Sequence, residues 1–382
     1  MPASPDQQPL LVVSASGRAL AQSAARGGLR VVVLDLFNDA DVRAIAVASH
    51  AVMGRSGRFD ARRLLAAAQV LCPAHRCAGL VYGSGFEGRT RLLADLARGR
   101  ALMGNAPDTV AQLKDPKLFF AMLDSFGIAH PETRLDPPAE PSGWLVKRIG
   151  GAGGSHVKTA RSRHRAQALR YFQRRLDGRT LSVLFAADGR AARVIGFNEQ
   201  WVAGIARGAP FCYGGAVSGI SLPQEVRARI AAMLDRLVPA SALVGLNGLD
   251  FILDAGGEPQ VLEVNPRPTA TIDLYDADFA DGLFAVHLRA CRGELPEYAP
   301  TPRAAADRSR AHAIVYATVA MRVPHEMSWP SWCTDIPLGG SFIAAGSPLC
   351  SVHAQAGSSV QARNMAMARL RQMSASFCRQ AA

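Results

Sequence analysis

An α/β protein that opens on a parallel sheet is predicted by three features of the sequence. The chain begins with apolar strand, helix and apolar strand. Apolar faces at helical spacing recur at residues 116–126 and 226–237. A long alternating hairpin lies at residues 248–265. The opening reads Leu10-Leu-Val-Val13, then a helix over 18–26, then a strand over 30–36, with Gly27-Gly28 as the helix C-cap. Strand, helix, strand makes a βαβ unit. Ser14-Ala-Ser-Gly17 stands where a dinucleotide loop would lie, and Asp35 where a ribose-binding acid would. Gly-x-Gly-x-x-Gly is not fulfilled, so no bound dinucleotide is expected. A second tight segment, Tyr82-Gly-Ser-Gly-Phe-Glu87, follows the apolar Gly79-Leu-Val81, and strand ends of this kind are where open α/β sheets bind ligands.

The pattern changes after Pro107. Phe119, Met122, Leu123 and Phe126 line one face of a helix over 116–126, capped by Gly127. Strands follow at 144–149 and 180–187, and Asp188-Gly189 turns the latter into a strand at 194–197. Ser221-Leu-Pro-Gln224 resembles a capping box, opening a helix whose face is Val226, Ile230, Met233, Leu234 and Leu237. Beyond about residue 300, short strands are expected at 312–320, 341–344 and 349–353, then a helix over 360–377; no chemistry is apparent there.

Composition narrows the function classes. The 382 residues are 49% hydrophobic and 19% charged, enough apolar content for two or three well-buried domains. No apolar run approaches the roughly 20 residues needed to cross a bilayer, and residues 1–8 lack a basic then apolar leader pattern. The seven cysteines include no Cys-x-x-Cys, which fits a reduced, cytoplasmic protein without a zinc or disulfide framework. The net charge is +12, yet the basic residues are spread along the chain and not gathered among aromatics, so neither a nucleic-acid nor a membrane partner is expected. Lysine is scarce: Lys114, Lys117, Lys147 and Lys158 are the only four, against 39 arginines.

The hairpin carries the chemistry. Its arms are Gly248-Leu-Asp-Phe-Ile-Leu-Asp254 and Pro259-Gln-Val-Leu-Glu-Val-Asn265, joined by Ala255-Gly-Gly-Glu258. A four-residue turn sets Asp254 opposite Pro259, and the same register sets Asp250 opposite Glu263, with Cβ atoms about 5 Å apart. Alternation places Asn265 on the face of Glu263. Two facing carboxylates repel unless a cation lies between them, and Mg²⁺ is the hard ion such oxygen donors suit. Separately, Trp144-Leu-Val-Lys-Arg-Ile149 leads into Gly150-Gly-Ala-Gly-Gly-Ser155, a lysine at a strand end before a loop with little side-chain bulk. That combination can bring an ammonium and backbone N–H groups to a polyphosphate.

In order, these segments resemble the ATP-grasp superfamily. Asp115-Pro-Lys-Leu-Phe-Phe-Ala-Met-Leu-Asp-Ser-Phe-Gly-Ile-Ala-His-Pro-Glu-Thr133 is similar to its opening motif, Val146-Lys-Arg with the glycine loop to its lysine segment, and Asp250 with Glu263-Val-Asn-Pro-Arg267 to its metal motif. The resemblance covers roughly residues 107–274. It implies an N-terminal Rossmann-like pre-ATP-grasp domain (1–105) and an ATP-grasp domain (106–295) with a mobile clasping subdomain near 142–205. A small β-rich C-terminal region with a terminal helix (296–382) would follow. It also implies ATP as cosubstrate, with two Mg²⁺ ions for which Mn²⁺ can substitute, on Asp250, Glu263 and Asn265. Lys117 and Lys147 would contact phosphates under a loop made by Gly150, Gly151, Gly153, Gly154 and Ser155. Backbone at Arg175 and Leu176 would bind adenine, and Lys147 and Arg267 would serve catalysis. Arg174 departs from the glutamate common in relatives, and Pro116 separates Asp115 from Lys117. The N-terminal segments around Arg18 and Asp35 look like predicted ATP-grasp carboligases, distantly similar to biotin carboxylase and associated with tetrahydromethanopterin- and methylofuran-linked one-carbon metabolism. The expected activity is a carboxylate–amine ligase acting through an acyl phosphate on small-molecule substrates, a glutamate ligase among the options, in a protein that pairs as a homodimer. A bicarbonate-activating carboxylase and a catalytically inactive ATP-binding regulator are the alternatives. Tyr213-Gly-Gly215 and His156 are further candidates for the substrate side.

Overall fold

The computed structural model describes residues 8–162, 169–204, 209–296 and 308–380. Residues 1–7, where no leader is read, and 297–307, which open the expected C-terminal region, lie outside the described residues. The first strands pair in parallel in the order Ala48–Ala51, Val31–Asp35, Leu10–Val13, Gly79–Tyr82. Their near-continuous Val/Leu content follows from burial on both faces. Helices Arg18–Arg26, Ala61–Leu71 and Thr90–Ala97 supply the covering faces.

An eight-stranded antiparallel sheet forms the centre. Its order is Pro259–Asn265, Val244–Leu253, Arg179–Asp188, Ala192–Val202, Tyr213–Val217, Ser309–Tyr316, Pro348–Ala356, Cys333–Thr334. The two long strands after residue 308 are therefore continuous with the central sheet and not a sheet of their own. Alternation divides its core in two. Leu181, Val183, Phe185, Leu249 and Phe251 face one layer with the helix Gln224–Ser241 and the terminal helix Ser359–Gln380. Leu184, Ala186, Ala216 and Leu246 face the helix Gly282–Ala290 and the N-terminal unit. A four-stranded sheet, Thr133–Arg134, Arg170–Arg174, Trp144–Arg148 and Lys158–Thr159, stands apart with its own small core of Trp144, Val146, Ala160 and Phe172.

The expected helix at 116–126 is found at Pro116–Ser125, with Gly127 left-handed at φ 58°. Asp115 caps it by accepting from the amides of Lys117 and Leu118, and Pro116 sits where a missing N–H costs nothing. Ser221 does not cap the later helix. That helix starts at Gln224 after Pro223 without a side-chain cap, although the expected apolar face is the buried one. Among the described residues no helix is long and apolar enough to cross a membrane.

Candidate nucleotide and metal site

Asp250 pairs directly with Glu263, and Asn265 lies opposite Gly248. The turn itself departs from the expected register: Leu253, not Asp254, faces Pro259, and a bulge at Leu262 between the pairs Phe251–Val261 and Asp250–Glu263 restores the alignment. The bulge has a packing cause. Strict alternation would put Val261 on the face of Glu263; the extra residue lets both Val261 and Val264 enter the core while Glu263 and Asn265 turn the other way. Asp250 shares that other face with Leu246, so the acids lie on the side of the central sheet that looks toward the N-terminal unit.

Around the acids converge donors from four segments. The Lys114 ammonium, at the C-terminal end of the helix Pro107–Lys114, lies 2.8 Å from Glu263 Oε2 and 3.1 Å from Asn265 Oδ1. Asn265 Nδ2 donates to Asp250 Oδ2 at 2.8 Å, and Gln200 Nε2 donates to Asp250 Oδ1 at 3.1 Å. The consequence is a split pair. Enclosure and then the Glu263 charge push the Asp250 carboxyl up to about 7. Enclosure acts the same way on Glu263, but the Lys114 ammonium, with Lys147 and His156 beyond it, outweighs this and holds that carboxyl well below the usual range.

Lys147 and the glycine loop close the other side. Lys147 Nζ donates to the buried Gln173 Oε1 at 2.5 Å, and burial lowers its ammonium against the pull of Glu263 and Asp250. After this strand the loop folds back tightly. A Cβ on Gly150 would lie 2.4 Å from Gly88 Cα, and one on Gly151 would strike the His156 ring at 2.2 Å. Gly153 accepts from the Tyr213 amide at 3.0 Å, and Gly154 rests against the Phe211 carbonyl, so the loop lies on the segment that leads into strand Tyr213–Val217. Ser155 is exposed. Lys114, Phe120, Arg148, Gly150, Gly151, His156, Tyr171 and Glu263 line one pocket.

Arg267 donates from Nε to Glu87 Oε1 at 2.7 Å and from Nη2 to Asn265 Oδ1 at 3.4 Å, with the Glu87 side chain only 3% exposed. Gly85 N–H holds the other Glu87 oxygen at 2.7 Å, so the tight segment 82–87 positions the guanidinium. Burial raises the Glu87 carboxyl, but Arg267 and then Lys114 bring it below the usual range.

Not every expected residue joins this set. Lys117 is exposed on the first turn of its helix, and Lys114 stands at the carboxylates. At the expected adenine-binding segment, the Arg175 amide donates to the Gly143 carbonyl at 2.8 Å, which commits it to the sheet, while Leu176 is half-buried. Arg174 stacks on Trp144 at 5.7 Å from the ring centre. Sequence patterning alone does not assign Lys114, Gln200 or Glu87 to the site. Scarcity of lysine marked the first and the tight segment marked the last, whereas Gln200 carries no local signal.

The donor set suits a hard divalent ion. Asp250, Glu263 and the Oδ1 of Asn265 supply oxygen donors, and Mg²⁺ at nucleotide sites takes one or two carboxylates and completes its shell with phosphates and water. Among the described residues no group of three or more His, Cys, Asp or Glu side chains is placed to hold a metal ion.

Known proteins resemble this chain in sequence and in fold. Residues 115–271 match the model of the ATP-grasp domain family. The carbamoyl phosphate synthase large chain of Deinococcus deserti is 24% identical over 219 residues, 51% of this chain but 21% of that one, so the chain spans about a fifth of this relative. Among solved structures, the biotin carboxylase domain of the Hydrogenobacter thermophilus 2-oxoglutarate carboxylase, in complex with MgADP, ADP and bicarbonate, superposes with a TM-score of 0.71 at 11% identity, covering 96% of this chain and 89% of that one. The L-amino acid ligase of Bacillus licheniformis gives a TM-score of 0.67 at 15% identity, covering 95% and 97%. The fold is the ATP-grasp fold.

Proposed function

We propose that this protein is an ATP-dependent ligase that joins a carboxylate to an amine and releases ADP and phosphate. The observation that carries the reading is the placement of Asp250 across from Glu263, with Asn265, Lys114, Lys147 and Arg267 converging on the same face. A carboxylate is a poor acyl donor because its leaving group would be oxide. Its oxygen therefore attacks the γ-phosphorus of ATP; an O–P bond forms, the bridging P–O bond breaks, and ADP leaves. The amine nitrogen then attacks the acyl carbon, C–N forms, C–O breaks, and phosphate departs as the nitrogen loses a proton.

Phosphoryl transfer needs positioning and charge neutralisation rather than a protein nucleophile. Asp250, Glu263 and Asn265 would hold Mg²⁺, which supplies Lewis-acid charge to the phosphoryl oxygens. Lys147 and Lys114 reach toward the same charge from two sides. Arg267, fixed by Glu87, is set to steady the transferred group. The glycine loop, free of bulk at Gly150 and Gly151, can cover the phosphates and exclude water.

A glutamate ligase step in one-carbon cofactor assembly is the substrate reading supported by the segments around Arg18 and Asp35. Likeness to a biotin carboxylase domain supports a second reading, activation of bicarbonate. A screen of Mg²⁺-dependent ADP release with carboxylates against amines, glutamate in both roles, separates them. The ligase requires both substrates together; bicarbonate-dependent release without an amine favours the carboxylase. Release of ADP from neither class removes both.

A further inference from the structure

In the glycine loop, His156 carries a ring nitrogen with nothing to bond. Its Nδ1 atom is enclosed, and among the described residues it has no hydrogen-bond partner. Native proteins rarely leave an enclosed polar atom unpaired, so such an atom marks the place of an absent partner. The ring itself is held by the loop. It sits against Gly151, where any Cβ would come within 2.2 Å of the imidazole, so the want of bulk at this glycine makes room for the histidine.

His156 lines a pocket together with Lys114, Arg148, Tyr171 and Glu263. The charges of Glu263, Lys147 and Lys114 all act on the imidazole, so ring, ammonium groups and carboxylate surround one space. Lys114, Lys147 and Arg148 bring three positive charges to it, against the Glu263 carboxylate that a metal ion would neutralise. What the space lacks is an anion. Its place along the strand says which one. Trp144 pairs with Arg174, beside the segment expected at the adenine, and Arg148 pairs with Arg170 at the glycine-loop end. Four residue steps separate these ends, about 13 Å at the rise of a strand, a span comparable to an extended nucleoside triphosphate from base to last phosphate.

We propose, resting on the Mg²⁺–ATP reading of this site, that His156 donates a hydrogen bond from Nδ1 to the terminal phosphoryl group of the nucleotide. The loop thereby tells a triphosphate from a diphosphate. An amine is the poorer occupant, because it would add a further positive charge to a space that already holds three. Burial lowers the imidazole below the usual histidine range against the pull of Glu263, so the ring meets the phosphate through a hydrogen bond and not as a fourth cation. In this account Gly151 is needed for the ring it admits, and His156 is the side chain by which the loop reads its ligand.

The test is calorimetric titration of the full chain, with Mg²⁺ present, using either ADP or the β,γ-methylene analogue of ATP. The wild type is expected to bind the triphosphate about tenfold or more tighter than ADP. His156→Ala, folded by circular dichroism, is expected to lose about tenfold for the triphosphate, the scale of one hydrogen bond to a charged group, and less than about twofold for ADP. His156→Asn, which keeps an N–H near the Nδ1 position, is expected to recover most of that loss. Equal weakening of both nucleotides in His156→Ala would mean a merely structural histidine and overturn the inference. So would a His156→Ala protein that keeps the full preference, or a His156→Asn protein no better than His156→Ala. A wild type that binds both nucleotides equally would overturn it with no variant needed, and the Mg²⁺–ATP reading would stand. A wild type that binds neither would remove that reading and this inference with it.

Discussion

At the hairpin, Glu263 is neutralised by an ammonium while Asp250, its direct neighbour, has only the amides of Gln200 and Asn265. At the edge of the N-terminal sheet, Asp273 and Asp335 share the guanidinium of Arg18. Arg18 bonds Asp273 through two nitrogens at 2.6 Å and reaches Asp335 at 3.1 Å. Burial would raise both of these carboxyls, yet Arg18 holds each below the usual range. The difference lies in the cation. Lysine brings a point charge that serves one carboxylate well, whereas the planar fork of arginine matches two at once. The second region is therefore a finished clamp between the helix that begins at Arg18, the turn at Asp273 and the strand end at Asp335, and the first, under the proposed function, is a site whose charge a ligand would complete.

Arg18→Ala should produce the largest effect. Arg18 is 4% exposed in its side chain and its partners 14% and 18%. Removing it strands two enclosed acids, and chemical denaturation should show a loss of about 3–5 kcal/mol. The sign with pH is fixed by the shifts. Both carboxyls are lowered in the folded protein, so their contribution is complete above the unfolded value of 3.8 and is lost as pH falls through the folded values. An Arg18→Ala protein whose stability and acid unfolding match the wild type would break the comparison from the clamp side.

Lys147→Ala addresses the other region. It leaves the clamp intact and should lower Mg²⁺- and ATP-dependent ADP release by roughly 10²-fold or more, with denaturation stability changed far less than by Arg18→Ala. A stability loss as large as that of Arg18→Ala would mean the hairpin region is structural too.

A smaller effect sharpens the contrast further. The Asp250 carboxyl is raised to about 7, so a metal binding below that pH must displace a proton. Mg²⁺ affinity, measured by calorimetry in the presence of ATP, should rise by about tenfold per pH unit up to roughly 7 and level off above it. A flat profile between pH 5 and 7 would show that Asp250 is ionised without the metal.

These regions also differ in how much of them could be read from sequence. The hairpin is local: Asp250 and Glu263 lie on adjacent strands of one turn, so period-two alternation and a turn length nearly determine their meeting. The turn is one residue longer than alternation predicts, and the Leu262 bulge restores the pairing because Val261 and Val264 both belong in the core. The clamp was not visible. Arg18, Asp273 and Asp335 come from three separate segments, and no spacing rule connects them. The same distinction explains Lys114, which reaches Glu263 from a helix end far back in the chain, while the motif drew attention to Lys117 three residues on. The strands after residue 308 showed their alternation but not their destination; the sequence does not reveal that they extend the central sheet and bring Asp335 to Arg18.

The central claim is that Asp250, Glu263 and Asn265 are a Mg²⁺–nucleotide site. Its most direct test is calorimetric titration of wild-type and Glu263→Ala protein with ATP, each with and without Mg²⁺. The account predicts that Mg²⁺ tightens ATP binding to the wild type by tenfold or more and does little for the folded variant. Equal tightening in Glu263→Ala would contradict it.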